Sequence, residues 1–166
     1  VDDTLIVNPR CGAGSGINLD RVLQKLDLER GAVDGLLAPY LGEANADRRR
    51  GVNVRADRCG VFASSATISD KNQGIPLDFA LAVTLKSVVL KTCRQLPAGF
   101  DTVWLTGRVF RWQYARDCAA DHFSDLGVSA LHLDRDNRLP IEGLRHLHRR
   151  REPGGAARSA RPVRPS

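Results

Sequence analysis

The residues best placed to do chemistry lie near the front of the chain, in Cys11-Gly12-Ala13-Gly14-Ser15-Gly16. Leu19, Val22, Leu23 and Leu26 follow at i, i+3, i+4, i+7 spacing, which predicts an amphipathic helix with Ser15 as its N-cap. A glycine-rich turn at a helix start lets the backbone approach a ligand closely and aims unpaired N–H groups at it. The natural guest is an anion such as phosphate, and a plain tight turn is the structural alternative. The segment is neither a Walker loop nor the dinucleotide fingerprint, because no Gly-Lys-Ser/Thr follows and the glycine spacing differs. Cys11 precedes the helix start, where the dipole favours a thiolate and hence metal or redox ligation. Cys59, flanked by Asp57, Arg58 and Gly60, sits in a similarly polar setting, with two unrelated surface thiols as the alternative. Cys93 and Cys118 have apolar neighbours and read as packing residues, and no CxxC pair suggests a zinc ribbon.

The elements that must position these residues follow from pattern. Thr4 to Val7 reads as a buried strand ended by Asn8-Pro9, and Thr102 to Thr106 as a second buried strand stopping at Gly107. Gly31 to Gly51 reads as loop with at most a short helix around Leu36 to Leu41, and Arg48-Arg49-Arg50 within it as a solvated stretch. Val52 to Val54 is a candidate brief strand. A helix through Ser64 to Ile68 should end at Gly74. Pro76 should open a helix running to about Gln95, apolar around most of its circumference and therefore buried. A helix from about Gln113 to Phe123, a strand Val128 to Leu133, a turn Asp134 to Asn137 and a short helix Ile141 to His148 complete an α/β domain. Asp134 and Asp136 read as turn residues, and His122 and His132 as structural histidines. The segment 149–166, rich in Arg, Pro and Gly, is expected to be a disordered tail to the 1–148 domain.

The net charge of +6 belongs to that end of the chain. Arg145 to Ser166 holds seven arginines against Glu152, which leaves the preceding residues neutral overall. A tail without interleaved aromatics does not indicate a nucleic-acid partner. At 42% hydrophobic and 27% charged, with four separated cysteines and no signal-like or membrane-spanning run, the sequence points to a reduced, cytoplasmic domain.

Three segments, in order, resemble one family. Val7 to Gly16 resembles the Asn-x-x-Cys-x-Ala-Gly-Thr/Ser-Gly segment of the activators of 2-hydroxyacyl-CoA dehydratases, shared by the ATPase subunits of benzoyl-CoA reductases. Arg58-Cys59-Gly60-Val61-Phe62-Ala63, with Ile68-Ser69 and Asn72 to Pro76, is similar to that family's second cysteine segment. Thr102 to Val109 resembles its strand ending in Leu-Thr-Gly-Gly-Val, the adenosine-contacting turn. The resemblance implies a partial ribonuclease-H-like lobe of the actin and hexokinase type. It also implies a homodimer sharing a 4Fe–4S cluster held by Cys11 and Cys59 of each subunit. Gly12, Gly14, Ser15 and Gly16 would line the nucleotide cleft, and Gly107 would admit the adenosine of ATP bound with magnesium. The implied partner is a 2-hydroxyacyl-CoA dehydratase or benzoyl-CoA reductase component, which receives an electron driven by ATP.

The family's second glycine is Arg108 here, and its upstream phosphate loops are absent, so the chain corresponds to the second half of an activator. No catalytic residue is assigned, and the chain as it stands is expected to show no significant ATP turnover. A catalytically inactive α/β binding module of the same superfamily and a fragment of an acetylated-sugar kinase are the alternatives.

Overall fold

A computed structural model of the protein describes residues 15–56, 62–96 and 99–151. The molecule is mixed α/β, mostly helical, with a two-stranded parallel sheet among the described residues. Helix α1 (Ser15–Lys25) forms where the 3.6-residue spacing places it, and Leu19, Val22, Leu23 and Leu26 are all buried. Helix α4 (Ala63–Asn72) packs on α1 and on α5 (Leu77–Cys93). The latter runs through the core, with every residue from Ala80 to Leu90 buried. Burying a leucine such as Leu81 or Leu85 contributes about 1.5–3 kcal/mol. Pro76 stands at the cap position, one residue ahead of the helix.

The polar groups of α5 are satisfied locally. Thr84 Oγ1 donates to the Ala80 carbonyl at 2.9 Å and lies 2.7 Å from Thr67 Oγ1 of α4. Ser87 Oγ donates to the Val83 carbonyl at 2.6 Å.

Three helix endings share one device. The amides of Gly74 and Ile75 close on the Lys71 and Asp70 carbonyls, and those of Gly127 and Val128 on Ser124 and Phe123. The same 5→2 and 6→1 pattern ends α1, with Asp27 rather than glycine in the left-handed position at φ 56°.

Strand β1 (Thr102–Leu105) pairs in parallel with β2 (Ala130–Leu133), with Val103 opposite Leu131 and Leu105 opposite Leu133. A 3₁₀ turn (Arg108–Arg111) and helix α6 (Gln113–Asp125) make the crossover. The expectation that β1 is wholly buried is corrected. Val103 and Leu105 face the core, whereas Trp104 is 53% exposed on the other face and stacks on His132 at 4.6 Å.

The segment expected to be loop is instead a chain of helical turns. Two 3₁₀ turns (Arg30–Ala32, Ala38–Tyr40) flank α2 (Val33–Leu36), and a third (Glu43–Asn45) leads into α3 (Ala46–Arg50). Arg49, expected to be solvated, is 2% exposed. Its Nε and Nη2 donate to the two Asp121 carboxylate oxygens at 2.7 and 2.8 Å, and its Nη1 to the Tyr40 and Gly42 carbonyls. From α5, Lys86 Nζ donates to the carbonyls of Arg49, Arg50 and Val52 at 2.7–2.9 Å. Residues 52–54 therefore form no strand. The Val52 amide turns back to the Arg49 carbonyl, while α5 supplies Lys86 Nζ to the Val52 carbonyl and Ser87 Oγ to the Arg55 amide.

The final helix, α7 (Leu139–Arg151), extends beyond the expected His148 boundary. Residues 152–166, the expected strand at 4–7 and both front cysteine segments lie outside the described residues. Among the described residues, no helix is long and apolar enough to cross a membrane.

Candidate functional site

Chain direction brings the first turn of α1 to the carboxyl end of β1. A methyl group placed on Gly16 would meet Val109 Cγ2 at 3.9 Å, an ordinary contact. The glycine-rich segment and the turn after β1, which the sequence separates by some ninety residues, are thus neighbours at Gly16 and Val109. Gly16 itself has a helical backbone and room for a side chain, so its position does not require glycine. Gly107 does. Its φ of 110° and ψ of 156° are closed to other residues, and they turn the chain off the strand into the 3₁₀ turn. Cys11, Gly12, Gly14 and Cys59 lie outside the described residues, as does the side chain of Ser15.

The Gly107 turn is braced from both sides. Its amide donates to Asn137 Oδ1 at 2.9 Å, so this N–H is already committed. Arg30 Nη2 reaches the Arg108 carbonyl at 3.4 Å, and its guanidinium pairs with Asp20 of α1. The same guanidinium lies 4.5 Å from the Trp112 ring centroid, and Trp112 Nε1 donates to the Arg30 carbonyl at 2.9 Å. Arg30 thereby ties α1, the turn and the start of α6 into one unit, a role the sequence pattern does not reveal.

At the carboxyl ends of both strands opens a cleft of about 350 Å³ lined by Gly107, Arg111, Arg116, Leu133, Asp134 and Arg135. Parallel α/β sheets place ligands at this edge. Asp134 accepts hydrogen bonds from Thr106 Oγ1 and from the amides of Arg138 and Leu139, at 2.9, 3.0 and 2.9 Å. Burial acts to raise its pKa, but these donors outweigh that and hold the carboxyl below its ordinary range. It therefore serves as the turn residue expected, and in addition meets the amides at the entry to α7. Sequence reading does not group the three arginines, which come from the 3₁₀ turn, from α6 and from the residues after β2 and share no local pattern.

The remaining cysteines are packing residues, as read. Cys93 and Cys118 are 3% and 1% exposed, and burial pushes both thiols up to about 12. A thiol so protonated is a poor metal ligand, and neither fits an iron–sulfur site. Ellman's reagent at pH 8 is expected to leave both unmodified in the native protein and to label both in urea, as mapped by mass spectrometry. His122 also behaves as a structural residue, packed on Phe123, its pKa lowered by burial. Among the described residues no group of three or more His, Cys, Asp or Glu side chains gathers as a metal site. No family model, curated protein or solved structure matches this chain.

Proposed function

We propose that this chain is the cluster-bearing, nucleotide-contacting part of an ATP-dependent iron–sulfur activator. Its electron would go to a 2-hydroxyacyl-CoA dehydratase or benzoyl-CoA reductase. The observation that carries this reading is the approach of Gly16 to Val109, with Gly107 in its left-handed turn between β1 and the 3₁₀ segment. Two of the three segments on which the resemblance rests are thereby neighbours, as a shared nucleotide cleft requires.

Cys11 precedes α1 by four residues and Cys59 precedes α4 by four. The two helices pack together, but Lys25 Nζ, which donates to Ser64 Oγ at 3.3 Å, joins the end of α1 to the start of α4 and not the two helix starts. The cluster assignment therefore rests on the resemblance alone. Two thiolates per chain complete a four-thiolate set only in a symmetric dimer. In that assembly the bound cluster supplies one-electron transfer, while the chain's part is to hold two thiolates and to seat the adenosine against Gly107.

Anaerobic purification is expected to yield a brown homodimer with about four irons per dimer. Cys11→Ala or Cys59→Ala abolishes the colour, while Cys93→Ala retains it. A colourless protein after anaerobic iron and sulfide reconstitution overturns the reading. A non-catalytic binding module is the second reading, favoured by the exposed Arg108 where the resembling family has glycine.

A further inference from the structure

The cleft beyond β1 and β2 has a chemistry of its own. Three guanidinium side chains face one carboxylate across its lining, which leaves two positive charges in excess. Asp134 forms no ion pair with them among the described residues and accepts instead from the Thr106 hydroxyl and from two amides of α7. Arg111 and Arg135 are exposed, and their side chains make no hydrogen bond or ion pair among the described residues. Arg116 is half-buried and pre-positioned, its Nη1 donating to the Phe110 and Arg111 carbonyls at 3.1 and 2.7 Å. This bond fixes one edge of the guanidinium against the 3₁₀ turn and leaves its other N–H groups unspent. The backbone cannot compete for the same guest. The Gly107 amide is held by Asn137, the Asp134 amide by the Leu105 carbonyl, and the Arg135 amide by the Leu133 carbonyl.

We propose that this cleft is a receptor for a phosphate monoester on a small ligand, gripped by Arg111, Arg116 and Arg135. Guanidinium forks match phosphate oxygens in geometry and remain charged at every physiological pH. A volume of about 350 Å³ accommodates such a group together with part of the molecule that carries it. The recognition is by side chains alone. It differs in kind from backbone capture of a nucleotide by the front glycine turn, although the two sites share Gly107.

The test is a titration of the full chain with inorganic phosphate at constant ionic strength, followed by amide and arginine Nε resonances. Saturable shifts at Gly107, Arg116 and Arg135 are expected, with acetate producing far weaker ones. The R111A/R135A variant, both positions exposed and outside the core, should keep its far-UV spectrum and melting temperature. Its phosphate affinity should fall at least about tenfold. R135K keeps the charge without the fork and should fall between. Absence of saturable shifts, equal response to acetate, or unchanged affinity in R111A/R135A overturns the proposal. Because R111A/R135A leaves Cys11, Cys59 and Gly107 intact, iron content reports on the activator reading separately.

Discussion

Replacing Arg49 by alanine is expected to destabilise the protein by about 3–5 kcal/mol, the penalty for breaking a buried charge pair from one side. The guanidinium is 2% exposed, and its bidentate hydrogen bond to Asp121, acting against burial, holds its pKa above the ordinary arginine value. Removing it leaves the Asp121 carboxylate, whose side chain is only 14% exposed, with the longer 3.7 Å contact to the exposed Arg50 guanidinium, and takes a donor from the Tyr40 and Gly42 carbonyls. Asp117, 3.6 Å from Nη1, loses its counter-charge as well. Urea unfolding followed by circular dichroism should show a lower midpoint with an unchanged slope. A loss below about 1 kcal/mol would mean that the interior relaxes or hydrates around the vacancy. Arg49→Lys keeps the charge but not the fork, and should recover only part of the stability.

The second large effect is at Lys86. Burial lowers the pKa of its ammonium, yet all three protons are matched by carbonyls at the end of α3. The Arg49 carbonyl has a second donor in the Val52 amide, whereas those of Arg50 and Val52 depend on Lys86 among the described residues. Lys86→Met preserves the volume of the stem and removes the donors, and should cost about 2–4 kcal/mol for the unsatisfied carbonyls. The same titration reads it. R49A/K86M should lose less than the sum of the two, because both residues anchor the same stretch of chain. Strict additivity would show that the two anchors act on separate units.

How far the fold could be read from sequence depended on where each element's support comes from. Helices α1 and α5 were legible because their apolar spacing is itself the cause of their burial. The turns at Gly74 and Gly107 were legible because φ values of 83° and 110° demand glycine. Residues 30–50 were not, since their short helical turns have no periodicity and are held from α5 and α6 by Lys86, Asp117 and Asp121. Helix α6 shows the same reason on a smaller scale. Its N-terminal position is Trp112, which caps nothing, and the Gln113 and Tyr114 amides are met instead by the Asp34 carboxylate at 2.9 and 3.2 Å. An N-cap rule that looks only at adjacent residues cannot find a cap nearly eighty positions away. Val52 to Val54 misled for the opposite reason, since β-branched residues suggest a strand only where a partner strand exists. At the site, the approach of Gly16 to Val109 lies beyond any local pattern, although the glycine turns that meet there stood out individually.

The cations of this molecule fall into two populations that electrolyte should separate. Arg49 and Lys86 are shielded by protein, so added salt has little access to their partners. Arg111 and Arg135 face water, where at 1 M electrolyte the Debye length shrinks to about 3 Å. A melting curve that holds steady across a potassium chloride series, while phosphate capture fades along it, would be the thermodynamic signature of cations that brace and cations that recruit.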